Sequence, residues 1–189
     1  MDSIIALDRW LFEIVNVQMS TPFLDMFFHP LSNKWVIRFL VVFFMFMFFS
    51  LGNVRLRWVL VLCGASLVVT DVSVSIMKEV FARARPCNAM EDIIILAKCS
   101  ESFSFPSRHT ADIFSMAVIL SALYARYALW FMAIAVYVGF SRIYLGMHYP
   151  FDVMAGIFVG SSVGIAFLWV DAKYYISIGQ KHGFLSREV

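Results

Sequence analysis

Residues 128–170 read ALWFMAIAVYVGFSRIYLGMHYPFDVMAGIFVGSSVGIAFLWV. Two apolar runs, 128–146 and 152–170, flank a short link at 147–151. A hydrocarbon layer about 30 Å thick asks for roughly 20 mainly apolar residues per helix, so each run is long enough to cross. The link is too short for anything but an antiparallel turn. Working outward, three more runs have the same character: 109–125, 58–77 and 35–52. The run 58–77 is interrupted only by Asp71, and Arg38 stands close enough to the end of its run to snorkel. The expected fold class is therefore all-α: a polytopic membrane bundle of about five transmembrane helices.

Composition agrees. The 189 residues suit one domain, and 61% are hydrophobic while 15% are charged. Soluble domains average roughly 45–50% and about 25%. This excludes a disordered chain, a coiled coil and most soluble folds. A net charge of +2 without a basic run gives no reason to expect a nucleic-acid partner. Residues 1–33 differ from the rest. Asp2, Asp8 and Glu13 stand where a signal peptide would need a basic and then an apolar stretch. Ile4, Leu7, Leu11, Ile14 and Val15 recur at helical spacing, with Asp8, Glu13 and Asn16 largely elsewhere, and Trp10 and Phe12 alongside. This predicts an N-terminal interfacial amphipathic helix, followed by breaks at Pro22 and Pro30. The expected division is 1–33 as helix and linker, and 34–189 as the membrane domain with a polar loop at 78–108.

Parity then places the polar residues. The loop 78–108 and the link 147–151 each join two antiparallel spans, so both face one aqueous compartment. Charge does not fix which one, because Lys and Arg occur on both sides. Cys87 and Cys99 share the polar loop, where they are either a disulfide of an extracytoplasmic segment or two free thiols. Cys63 lies inside a span.

Ionisable groups are costly near hydrocarbon, so their clustering on the loop side is informative. Lys78, Arg85, Arg108 and Arg142 supply cations, Ser107 a hydroxyl, and His109 and His148 titratable rings. Forked Arg donors, a Lys point charge and a helix N-terminus beginning at Ser107 together suit a tetrahedral oxyanion such as phosphate. Asp152, four residues after His148, could fix the tautomer of that ring and leave its other nitrogen as a nucleophile. His109 could then act as general acid. Arg83 and Lys98 fall outside the pattern and read as solvated charges; His29 and His182 match nothing. Asp71, two turns before Lys78, could support that lysine or bond another helix. Asp112 would favour the helix dipole or a nearby cation. Tyr144 and Tyr149 are either interface anchors or part of a substrate entrance. No carboxylate or His/Cys set suggests a metal site.

In order, K-x6-R-P (Lys78, Arg85, Pro86), P-S-x-H (Pro106, Ser107, His109) and S-R-x5-H-x3-D (Ser141, Arg142, His148, Asp152) resemble the three-part signature of the type 2 phosphatidic acid phosphatases, membrane lipid phosphatases related to vanadium haloperoxidases. The resemblance implies that His148 attacks phosphorus and becomes a phosphohistidine, and that Asp152 orients it. It implies that His109 protonates the leaving group and then activates water, and that Lys78, Arg85, Ser107 and Arg142 hold phosphate oxygens, with no metal or other cofactor. Arg108 stands where this family commonly has Gly, which suggests contact with a second anionic group and resembles bacterial lipid A 1-phosphatases. The expected partners are the bilayer and a membrane lipid substrate. The best-fitting substrate is the 1-phosphate of lipid A, with undecaprenyl diphosphate, phosphatidylglycerophosphate and phosphotransfer to an acceptor as alternatives. The expected location is a bacterial cytoplasmic (inner) membrane, with the site facing outward.

Overall fold

The structure is a computed structural model that describes residues 2–32, 50 and 53–175. All but residue 50 of the expected span 35–52 lies outside the described residues, as does His182. Seven α-helices follow one another among the described residues: α1 (Asp2–Glu13), α2 (Pro22–Phe28), α3 (Val54–Phe81), α4 (Pro86–Ala89), α5 (Arg108–Leu123), α6 (Ala128–Tyr144) and α7 (Pro150–Val170). Their starts follow from local chemistry. The Asn53 side chain accepts the Leu56 N–H at 2.9 Å and caps α3. Pro150 occupies the first turn of α7, where a missing N–H costs nothing.

Three stretches, Val54–Ala89, Ala125–Tyr144 and Pro150–Lys173, are long and apolar enough to cross a membrane. Helix α5 has 16 residues, about 24 Å at 1.5 Å per residue, and is the hub of the bundle, packed against α3, α6 and α7. Val59 and Cys63 of α3 meet Ile119 of α5, while Phe114 and Ala117 of α5 meet Ala135 of α6. Outward rows such as Val68, Val72 and Ile76 on α3, Leu129 and Trp130 on α6, and Phe158, Ile165 and Trp169 on α7 are exposed and apolar.

Helices α5 and α7 approach most closely along a ridge that the sequence states plainly, Gly156, Gly160 and Gly164 at i, i+4, i+8. A Cβ on Gly156 would sit 2.7 Å from the Ser107 carbonyl oxygen, one on Gly164 2.8 Å from that of Ser115, and one on Gly160 would run into that of Ala111. In lipid, where apolar surface gains nothing by leaving its solvent, such close backbone approach is what holds helices together.

The antiparallel order predicted from parity is observed. Lys78 and Arg142 lie at the C-terminal ends of α3 and α6, and Ser107 and Asp152 at the N-terminal starts of α5 and α7, all at one end of the bundle. The opposite end is tied by Arg55, which donates two bonds to Asp171 (2.7 and 2.8 Å), joined by Trp58 Nε1 at 2.8 Å.

The N-terminal helix is present, and its polar side takes part in the packing. Asp8, Phe12 and Asn16, spaced four apart, are the buried side, while Ile4, Leu7 and Trp10 are exposed. The reason is hydrogen bonding. Asn16 donates to the carbonyls of Ile94 and Tyr144, each at 2.8 Å, and accepts the Ile94 N–H at 2.9 Å. A polar side chain that satisfies buried backbone groups gains more there than in water. The tyrosines are likewise packed inside. Tyr144 is fully buried, its hydroxyl donating to Asp25 at 2.6 Å, and Tyr149 packs edge-on against Phe12.

Candidate active site

Helix α3 ends at Ala82, which takes the left-handed conformation (φ 42°) and turns the chain sharply after Lys78. The next residues run extended to Arg85, so Lys78, Arg83 and Arg85 all reach back toward the starts of α5 and α7. A second tight turn joins α6 to α7. Gly146 (φ 80°) makes it possible, since a Cβ there would also lie 2.7 Å from the Ile94 carbonyl oxygen. The N-termini of α5 and α7 are tied by the Ser107 N–H, which donates to the Asp152 carbonyl at 2.9 Å. Two positive helix ends therefore point into one place.

His148 is buried there, 2% exposed. Its Nε2 lies 3.1 Å from an Arg85 Nη1, and its Nδ1 lies 3.5 Å from Asp152 Oδ2 and 3.4 Å from Ser104 Oγ. A guanidinium can only donate, so Nε2 presents its lone pair and the proton sits on Nδ1, facing the carboxylate. Burial, helped by the charges of Arg85 and Lys78 and opposed by Asp152, lowers the His148 pKa to about 4. The ring is thus neutral at ordinary pH, with an unprotonated Nε2: the state a nucleophile needs.

Asp152 is fully buried and saturated with partners. Oδ2 accepts the Tyr149 N–H at 2.9 Å and the Ser104 hydroxyl, and Oδ1 accepts Arg83 Nη1 at 2.7 Å. Lys78 donates to the carbonyls of Phe103 and Ser104. Arg85 is held by the Ser102 carbonyl (2.7 Å), the Ser102 hydroxyl (3.0 Å), and the Met147 and Phe103 carbonyls (3.1 and 3.2 Å). The loop over these cations is clipped to α4 by a Cys87–Cys99 disulfide. Arg142 is buried and bonds the Ser141 hydroxyl through Nε and Nη2. His109 is exposed at the start of α5, with Arg142, His148, Arg85 and Arg108 as its charged surroundings. Ser107 occupies the N-cap position, yet its hydroxyl caps no backbone group; it accepts from Thr110 Oγ1 at 2.9 Å.

Arg108 is placed differently from the other cations. It turns to α3, donating to Ser75 Oγ at 2.8 Å and pairing with Asp71. A cation in the first turn of a helix sits at the positive dipole end, and the carboxylate across the groove offsets that. Asp71 therefore bonds another helix rather than Lys78, and Asp112 lies with it along the groove lined by Leu67, Val68 and Val72. Lys98 is exposed, as expected. Arg83 is not a solvated charge: it bridges Asp152 and Asp8 and lies 4.0 Å over the Tyr149 ring. Arg83, Asp8 and Ser104 escaped the sequence reading. Only the R-x-R-P spacing at 83–86 hinted at Arg83, and nothing local marks Asp8, whose partner is 75 positions away.

Residues 55–175 match the PAP2 superfamily along their whole length. The chain belongs to the PAP2 superfamily. The PAP2 match holds every motif residue quoted above. A lipid A 4'-phosphatase of Porphyromonas gingivalis is 30% identical over 174 residues, covering 87% of this chain and 72% of the relative. A lipid A 1-phosphatase of Rhizobium johnstonii is 30% identical over 100 residues, 51% of this chain and 41% of the relative. The crystal structure of Aquifex aeolicus LpxE superposes with a TM-score of 0.70 at 28% identity, covering 86% of this chain and 94% of that one. The chain is thus a multi-pass membrane protein of a family of lipid phosphatases.

Proposed function

We propose that this PAP2 protein removes a phosphate from lipid A or a related anionic saccharolipid. The observation that carries the reading is the seat of His148, buried with Nδ1 3.5 Å from Asp152 and Nε2 3.1 Å from Arg85, an arrangement that favours a proton on Nδ1 and a free lone pair on Nε2. Nε2 attacks phosphorus, forming a P–N bond as the P–O bond to the lipid breaks, and His109 gives its proton to the leaving oxygen. Water then attacks the phosphohistidine, His109 takes the water's proton, and the P–N bond breaks to release phosphate. Lys78, Arg85, Arg142, Ser107 and the two helix N-termini stabilise the charge on the equatorial oxygens. To bind, the phosphate inserts between Arg85 and Nε2 and takes over donors that the loop carbonyls now occupy.

The substrate class is supported by the lipid A phosphatases among the relatives. The five-span arrangement is supported by the apolar run 35–52 and by the central seat of α5. The Cys87–Cys99 bond fits a loop on the oxidising, outer face of a cytoplasmic membrane. The outward apolar rows and the site at one helix end support a reaction near headgroup level, where a lipid need not leave the bilayer.

A panel with purified protein tests this: phosphate release from lipid A, undecaprenyl diphosphate and phosphatidylglycerophosphate, with the lipid A product analysed for which phosphate is lost. Faster turnover of lipid A is expected. A clear preference for either other lipid would overturn the substrate, and transfer to an acceptor lipid in place of release would overturn hydrolysis.

A further inference from the structure

Asp152 is a buried carboxylate that Lys78 and Arg85 reach only through their field. His148 is neutral, while Lys78 and Arg85 are bound to the carbonyls of residues 102–104. A carboxylate without water must be paired or it will not stay ionised. Arg83 pairs it, Nη1 to Oδ1 at 2.7 Å, on the oxygen that His148 does not use. The other end of that guanidinium is held in turn. Nη2 donates to Asp8 Oδ2 at 2.6 Å, and the plane rests 4.0 Å over the Tyr149 ring. Asp8 is only 1% exposed, and its second oxygen accepts the Phe151 N–H at 2.9 Å, one residue before Asp152. One arginine and one carboxylate thus grip the same turn of α7 from two directions.

We propose that Arg83 and Asp8 are positioning residues of the phosphatase reaction: Arg83 is the counter-ion that keeps the Asp152 carboxylate charged and aimed at His148, and Asp8, reaching in from the N-terminal helix, fixes Arg83. The proposal rests on His148 as nucleophile. It extends the reacting assembly to α1, beyond the family-matched residues 55–175. It also gives the two carboxylates different duties. Asp152 meets the positive charge that grows on the ring as Nε2 attacks, whereas Asp8 never faces the ring and acts through Arg83 and through the Phe151 N–H.

Removing the Arg83 charge leaves Asp152 facing His148 with less competition. The other charged groups near this dyad are Lys78 at the end of α3, Arg85 before α4, Arg108 and His109 of α5, Arg142 of α6, and Asp8 of α1. All remain in R83Q, so the Asp152–His148 pair should take up a proton at higher pH than in the wild type. The acid limb of kcat/KM should then move upward, which a purely structural defect would not cause.

The test is a double-mutant cycle on purified protein hydrolysing a short-chain phosphatidic acid, with H148A run in parallel and folded fraction followed by thermal unfolding. R83Q should lower kcat at least tenfold with KM changed less than threefold, and R83K should recover part of the loss. D8N, whose amide oxygen can keep the Phe151 N–H, should lower kcat about threefold to tenfold in the wild type and have little further effect in R83Q, because the charge it removes faces Arg83. Wild-type kcat and an unmoved acid limb in folded R83Q would overturn the proposal, as would D8N and R83Q losses that simply multiply. If H148A itself turned over, the nucleophile assignment would fail; if only H148A were inactive, the nucleophile would stand and the Arg83 proposal alone would fall.

Discussion

Gly156 offers a quantitative test of how finely the anion site is held. Its missing Cβ faces the carbonyl oxygen of Ser107, the residue that opens α5, one turn along α7 from Asp152. In G156A the new methyl group would start 2.7 Å from that oxygen, where ordinary contact begins near 3.4 Å. About 0.7 Å must therefore be found by moving the start of α5 away from α7. Ser107 and His109 ride on that start, while His148 and Asp152 stay with α7, and the Ser107 N–H to Asp152 carbonyl bond would stretch from 2.9 Å. Misplacing a catalytic group by about 1 Å costs on the order of 100-fold, so a loss of roughly 10- to 100-fold in kcat is expected. Overpacking of this kind also destabilises by about 1–3 kcal/mol, which a lowered Tm would show. Gly64 is the control: nothing lies within 4 Å of its missing Cβ, so G64A should keep full activity and gain helix propensity. Phosphate release and thermal unfolding of both variants decide the matter. Wild-type kcat in G156A would refute the idea that the glycine ridge sets the spacing of the two halves of the site.

H148A should abolish phosphate release, and H109A should slow it at least 100-fold, with both variants unfolding cooperatively; measurable turnover by H148A refutes its role. The His148 proton should be lost at about pH 4 rather than near 6.5. Because the unfolded chain binds that proton first, this group's contribution to stability falls as pH drops from about 6.5 toward 4. Selective ¹⁵N labelling checks it: Nε2 should keep its unprotonated shift at pH 5, and a midpoint near 6.5 would contradict the burial argument. Reducing Cys87–Cys99 should loosen the loop that holds Lys78 and Arg85, raising KM severalfold; free alkylation of both thiols without reductant would remove the bond from the account. Activity should persist in chelator and fall with vanadate, and a strict need for added Mg²⁺ would reject hydrolysis by the side chains alone.

Much of this was legible in the chain because membrane sequences are written in a simple code. Apolar runs gave α3, α5, α6 and α7 within a few residues, and counting turns put Lys78, Arg85, Ser107, His148 and Asp152 at one end. What escaped was set by contacts distant in sequence. Asp8 and Asn16 look like the wet side of a surface helix, since helical periodicity reports which residues share a face but not what that face meets. Arg83 differs from a solvated arginine only through Asp8 and Asp152, 75 and 69 positions away. Arg108, expected to contact a second anionic group, pairs with Asp71 of the neighbouring helix, 37 positions earlier, and no local pattern announces that partner. The glycines at 156, 160 and 164 were in plain view, but their meaning depended on knowing that α5 was the partner.

The reacting groups occupy helix ends and turns, while the shafts between the two ends carry mostly packing. The outer rows at Leu129, Trp130, Phe158, Ile165 and Trp169 are exposed, while His148 and Asp152 are buried. A lineage living in a thicker or stiffer bilayer could therefore re-tailor those exteriors, one apolar side chain for another, while the imidazole and its carboxylate kept their register. Adaptation to the host envelope and fidelity of the chemistry are, in this architecture, separable traits.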